Sequence, residues 1–257
     1  MTQIHPTAIV SPKAELGKDV QVGAYAIIGA HVKIGDSAII HPHAIVEGLT
    51  TIGECCEIFP GACVGLRCQD LKYSGEKTYV EIGARTVIRE CVTVNSSTGE
   101  GSKTAIGEDC FLMAYSHVGH NCRLANGVIM ANLASLAGHI LIEDKAVIGG
   151  LVGIHQFVHI GTLAMIGGLS KVNQDVPPYA LSDGVPCSVR DINAVGLRRH
   201  GVAPETRNVI RRAFKILFKS GLATTHAMEI VRRDLPQIPE IVHLLDFIAQ
   251  SERGIGR

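Results

Sequence analysis

The chain is predicted to fold as an all-β parallel β-helix built from six-residue repeats, followed by a small α-helical C-terminal domain. Two patterns predict this: an aliphatic residue at every sixth position, and a small or β-branched residue four places after it. The aliphatic series runs Ile4, Val10, Leu16, Val22, Ile28, Ile34, Ile40, Val46, Ile52, Ile58 and Val64, resumes at Ile82, Ile88 and Val94, and continues from Ile106 through Leu112, Val118, Leu124, Met130 and Leu136 to Val172. Only positions 70, 76 and 100 break it. Neither a helical nor a simple strand period fits such a series. The small positions include Ala8, Ala14, Ala26, Ala38 and Ala44, and later Cys110, Ser116 and Cys122.

Each hexad reads as a short strand with its aliphatic inside, then a turn with a small residue at the corner. Three hexads close one triangular coil of roughly 18 residues. A coil buries its aliphatics only by stacking on its neighbours. The low aromatic content, 4% with no Trp, suits thin coils, and 28 glycines suit many turns. Cys56, Cys110 and Cys122 fall on the small position and are read as core. Two segments leave the frame and return in phase: 66–79 (LRCQDLKYSGEKTY) and about 95–105 (NSSTGEGSKTA). They are expected to be loops ejected from a rigid scaffold, where function concentrates. The pattern stops at Pro177-Pro178. Residues 1–190 are assigned to the β-helix and 191–257 to a helical domain that caps its open end. Pro204 is a plausible first helical residue and Gly221 a stop. Helices are also expected over TTHAMEIVRRDL and over PEIVHLLDFIAQS after Pro239.

Composition excludes several classes. Lys+Arg and Asp+Glu are both 24, so a nucleic-acid-binding surface is not expected. The eight cysteines include no C-x-x-C pair, which argues against a zinc ribbon or a thioredoxin motif. MTQIHPTAIV shows no signal peptide, and no stretch reaches the roughly 18 apolar residues of a transmembrane segment. A cytoplasmic protein with reduced thiols is expected.

Residues about 18 apart lie above one another on adjacent coils. His120, Gly138 and Gln156 therefore form one column, with His117, His139 and His155 beside it. A histidine provides a base near neutrality, and a bare glycine N–H beside it can stabilise an oxyanion. Base plus oxyanion donor is the minimum for acyl transfer from a thioester to a hydroxyl. A competing reading of the cluster is zinc, as in the three-histidine carbonic anhydrases built on hexapeptide repeats, but H-x-x-H is narrower than that class would use. A second competing reading is a scaffolding solenoid without catalysis. The ejected loops and the histidine column argue against it.

The motifs QDLKY (69–73), VEIG (80–83), IRE (88–90), SHVGHN (116–121), LAGH (136–139), IHQF (154–157) and QDVPPY (174–179) resemble the UDP-N-acetylglucosamine O-acyltransferase family of lipid A biosynthesis across essentially the whole chain. The resemblance implies a left-handed β-helix, an exception to the usual crossover hand, and a homotrimer with active sites between subunits. It implies acyl carrier protein as donor of an (R)-3-hydroxyacyl group and the 3-hydroxyl of UDP-N-acetylglucosamine as acceptor, with no cofactor and no metal. Carried over by motif, His120 is the base and Gly138 the oxyanion donor. Asp70 and Lys72 contact sugar and phosphate. His117, His139 and His155 contact sugar and acyl group, and Gln156 the nucleotide sugar. Asn193 and Arg199 contact uridine and phosphate, and Gly168 limits acyl length. Asn121, Asn95 and His200 depart from the family's usual Asp, His and Arg. An Asn can orient an imidazole but not stabilise the imidazolium by charge. The sibling N-acyltransferase, which acts on a sugar amine, carries an extra N-terminal domain, for which hexads beginning at Ile4 leave no room. Arg198, Arg211, Arg212, Lys215 or Lys219 is expected to form part of a docking patch for the acidic carrier protein.

Overall fold

The computed structural model describes residues 1–256. Strands of mostly two residues are dealt in rotation to three sheets of eleven, nine and eight strands. Gln3–Ile4, Ile9–Val10 and Glu15–Leu16 open the first, second and third sheets, and Gln21–Val22 returns to pair in parallel with Gln3–Ile4. The register follows the sequence period: Val118 lies against Leu136, Leu136 against Ile154, and Ile154 against Val172. The repeat aliphatics fill the interior. Ile28, Ile40, Ile58, Ile88, Leu112, Met130, Leu136, Ile148 and Ile160 are all fully buried. Cys56, Cys110 and Cys122 pack at the corners as expected. Burial pushes the Cys56 thiol up to about 11 and that of Cys122 to about 12, so both are inert.

The corners explain the small residue. At most of them the residue just before it takes positive φ, as at His43 (62°), Gly61 (74°), Asn121 (59°), His139 (59°) and Phe157 (64°). The small residue's N–H then closes a turn, Ala44 to the His41 carbonyl and Ala62 to the Phe59 carbonyl. Pro42 and Pro60 precede His43 and Gly61, which is the proline-first arrangement that favours positive φ next. A non-glycine residue here costs roughly 1–2 kcal/mol. The ladders above and below hold it in place.

Three details differ from the sequence reading. The ejected loops are shorter, because Tyr79–Ile82 and Lys103–Ile106 are paired four-residue strands, leaving 67–78 and 96–102 outside. The β-structure does not end at the prolines. Ala180–Asp183 extends the first sheet beside Met165–Ile166, then turns back as the antiparallel strand Ser188–Ile192. Residues 191 and 192 are therefore strand, not helix. The amino-terminal coil is uncovered, with Ile4 and Ile9 exposed.

Four helices follow: α1 (Ala194–Arg199), α2 (Pro204–Lys219), α3 (Thr224–Asp234) and α4 (Pro239–Gln250). α2 begins at Pro204, ends before Gly221 at positive φ, and buries Ile210, Ala213, Phe214 and Leu217. α4 returns to the side of the solenoid. Its His243 Nε2 lies 2.8 Å from Glu143, and Phe247 packs 4.5 Å from the His159 ring.

Candidate active site

The strand His117–Val118 belongs to the second sheet and Arg123–Leu124 to the third, so His120 stands on the corner between them. Gly138 and Gln156 occupy the same place on the next two coils. The stacking is close: a Cβ on Gly138 would overlap Cε1 and Nε2 of His120, so the imidazole lies where a side chain would be. The Gly138 N–H donates to no acceptor among the described residues. His120 is 8% exposed, and its Nδ1 lies 2.9 Å from Asn121 Oδ1.

Positive φ at Asn121, His139 and Phe157 turns a second column toward the first. His139 meets the edge of His120 at 5.1 Å and stacks on Phe157 at 4.8 Å. His117 Nδ1 sits 2.7 Å from Thr93 Oγ1. Burial, reinforced by His120, holds His117 below the ordinary histidine value. Burial and His120 do the same to His139, against a smaller opposite pull from Asp70. Both rings are thereby kept neutral near pH 7, able to give or accept a hydrogen bond.

The first loop walls the site. Asp70 caps its turn by accepting from the Lys72 N–H at 2.9 Å, and Arg67 lies over the Tyr73 ring at 5.2 Å. A cleft of about 470 Å³ results, lined by Asp70, Lys72, His117, His120, Gly138 and Gln156. Gln69, Leu71, Asn95, Gly119 and Ala137 complete its lining. His155 is exposed beside it, its Nδ1 3.3 Å from the Gln156 carbonyl.

Three residues expected at the site are not brought to it by one chain. Gly168 follows a strand of the first sheet and stands on the corner before the second. Asn193 caps α1 and donates to the carbonyl of Leu163, at the third corner. Arg199 ends α1 and is exposed. No group of three or more His, Cys, Asp or Glu among the described residues is arranged to hold a metal ion.

Residues 175–256 match a profile described as Udp N-acetylglucosamine O-acyltransferase, domain 2, and residues 13–48 match the bacterial transferase hexapeptide repeats. The acyl-(acyl-carrier-protein)–UDP-N-acetylglucosamine O-acyltransferase of Thermodesulfovibrio yellowstonii is 51% identical over the full length of both chains. That of Synechocystis is 47% identical over 99% of this chain and 92% of its own. The chain belongs to the UDP-N-acetylglucosamine O-acyltransferase family. Solved structures of family members agree: LpxA from Acinetobacter baumannii superposes with a TM-score of 0.94 at 43% identity, covering 99% of each chain. The Bacteroides fragilis UDP-N-acetylglucosamine acyltransferase reaches 0.96 at 39% identity, over 99% of this chain and all of that one.

Asn95, His200 and Asn121, which the family resemblance set apart, make these contacts. Asn95 is buried and its Nδ2 donates to the Arg67 carbonyl at 3.0 Å, pinning the root of the first loop. His200 is the exposed C-cap of α1. Asn121 bonds both to His120 and to Thr98 of the second loop. Thr98 and Glu76 went unseen in the sequence, because loop residues outside the hexad frame carry no column assignment. Thr93, on the strand paired with His117, went unseen because the second loop breaks the 18-residue step between them.

Proposed function

We propose that this chain transfers an (R)-3-hydroxyacyl group from acyl carrier protein to the 3-hydroxyl of UDP-N-acetylglucosamine, with His120 as general base. The names of its relatives specify an acyl carrier protein donor and this nucleotide sugar. The observation that carries the reading is the His120 imidazole held by Asn121 against the open face of Gly138, whose own N–H is unpaired among the described residues. Nε2 takes the proton as the sugar oxygen attacks the thioester carbon. The tetrahedral oxyanion is met by the Gly138 N–H. The C–S bond then breaks, and the thiolate takes the proton from Nε2. Asp70 and Lys72 hold the sugar and diphosphate from the loop, Lys72 as a point charge. His117, His139 and His155 contact sugar and acyl group, and Gln156 the nucleotide sugar.

The site is completed in a homotrimer. Gly168 and Asn193 sit at the two corners that His120 does not occupy, with Arg199 at the end of α1, and the closed ring of three that the family resemblance implies would set unlike corners of neighbouring copies face to face. Asn193 and Arg199 of one copy then serve uridine and phosphate, and Gly168 borders the far end of the acyl groove. No described helix is long and apolar enough to cross a membrane, and a carrier-protein donor supports a cytoplasmic reaction.

His120→Ala is expected to lower kcat by a factor on the order of 10² to 10⁴ with an unchanged melting temperature. Retention of more than about a tenth of the activity would remove His120 from this role.

A further inference from the structure

We propose that Glu76 is a positioning residue that fixes, through Thr98 and Asn121, which nitrogen of His120 is free to accept a proton. This deepens the reading of His120 as base and rests on it.

The Asn121 side chain faces the backbone of Thr98. Its Nδ2 donates to the carbonyl of Thr98 at 3.0 Å, and its Oδ1 accepts the N–H of the same residue at 3.1 Å. Flipping the amide would set donor against donor and acceptor against acceptor, so the backbone of Thr98 decides its orientation. Oδ1 is the atom presented to His120 Nδ1, and it can only accept. Nδ1 must therefore carry the proton, which leaves Nε2, the nitrogen over Gly138, with its lone pair.

Two side chains hold Thr98: Ser102, whose hydroxyl donates to the Thr98 carbonyl at 2.6 Å, and Glu76, which alone reaches across from the first loop. The second loop lies outside the coil ladders, so its backbone needs another anchor. Glu76 Oε1 accepts from Thr98 Oγ1 at 2.8 Å and from the Gly99 N–H at 2.9 Å. Oε2 accepts from the Ser74 N–H at 2.8 Å and from the Ser74 hydroxyl at 3.2 Å. The Gly99 N–H and the other donors hold the carboxyl down at about 2, so it is ionised throughout the working range. The same carboxylate thus ties the loop bearing Asp70 and Lys72 to the loop that orients the base. Because Asn121 supplies no charge to the imidazole, orientation is all it contributes, and the whole of that rests on where Thr98 stands.

The test reads the tautomer directly. ¹⁵N spectra of the imidazole nitrogens, with His120 assigned by its loss in His120→Ala, are compared among wild type, Glu76→Gln, Thr98→Val and Thr98→Ser. The wild-type ring is expected as a single form protonated at Nδ1. Glu76→Gln and Thr98→Val are expected to mix the two forms and to lower kcat on the order of 10-fold. Thr98→Ser, which keeps the hydroxyl, is expected to restore both. Thr98→Val should leave the KM for the nucleotide sugar within about twofold, because it does not touch Asp70 or Lys72. If Glu76→Gln fails to fold, Thr98→Val alone decides. A wild-type tautomer and kcat in whichever variant folds would overturn the proposal. The spectra need no turnover, so an active His120→Ala would defeat the base reading separately.

Discussion

Gly138 shows how one missing atom serves two purposes. Its N–H is free for an oxyanion, and its absent side chain makes room for the imidazole one coil below. The ring is the far end of a rotatable side chain, so a methyl group would displace it rather than break the ladder. Gly138→Ala is therefore expected to cost on the order of 10² in kcat while the melting temperature moves by only a few degrees. Lys72 is exposed, at the lip of the cleft. Lys72→Ala should raise the KM for the nucleotide sugar more than it lowers kcat, and an unchanged KM would reduce the loop to an insertion. Gly168 is less clean. A Cβ there would lie 3.1 Å from the Gly150 carbonyl oxygen, so Gly168→Met strains the corner as well as filling the groove. Competing long and short acyl donors separates the two effects, because strain lowers both rates alike and a blocked groove changes their ratio. Blocking two or three methylenes is worth ~10-fold or more, at about 0.8 kcal/mol each. The column of His120, Gly138 and Gln156 was legible because an 18-residue step is set by the strand ladder. Glu76 and Thr98 were not, because nothing in a loop's spacing says which carbonyl or hydroxyl it will face.

At the scale of elements, α4 is fastened to the solenoid by a carboxylate between two histidines. Glu143 lies 3.1 Å from His159 Nε2 and 2.8 Å from His243 Nε2, and also accepts the Thr162 N–H at 2.7 Å. Burial alone would raise its pKa, but the bonds from His159 and His243 outweigh that and bring it to about 2. The bond to Glu143 raises His243, with burial opposing and Asp246 assisting. The signs set a window. The contribution of Glu143 is present above its ordinary 4.5 and is lost as pH falls toward about 2. That of His243 is present below its ordinary 6.5 and is lost as pH rises through its elevated folded value. The melting-temperature gap between wild type and Glu143→Gln should thus peak between 4.5 and 6.5 and narrow on both sides. A gap independent of pH would show that shape, not charge, joins α4 to the coils. On α2, Arg212, Lys215 and Lys219 are exposed. If they receive the acidic carrier, activity with carrier-bound donor should fall as salt shortens the Debye length from ~10 to ~3 Å, and salt-independent kinetics would exclude them. The three longer helices were readable from Pro204, Gly221 and Pro239. The hairpin at Ala180–Ile192 was not, since it abandons the hexad period and its strands are too short for an alternation to register.

For the whole molecule, the decisive question is whether the site is shared. In a trimer with His120 from one copy and Arg199 from the next, two inactive variants should complement each other. Mixed, unfolded and refolded together, His120→Ala and Arg199→Ala should recover activity at roughly a quarter of the interfaces, those where both intact residues meet. No recovery above the separate variants would place both residues in one copy's site. The sequence carried this through the family resemblance, which implied a homotrimer with sites between subunits, and through Gly168, which falls on a different face of its own coil from His120. The uncovered first coil has its own consequence. Each coil is held only by those beside it, so a solenoid with one bare end frays from that end inward, in order. The turns carrying His117, His120 and Gly138 lie deep in the stack, with the hairpin and helices fastened beyond them. Amide exchange should therefore run as a gradient, fastest near Ile4 and Ile9 and slowest through the histidine coils. Warming would erode the amino-terminal tip long before it reached the base, and a molecule missing its first turn would still turn over substrate.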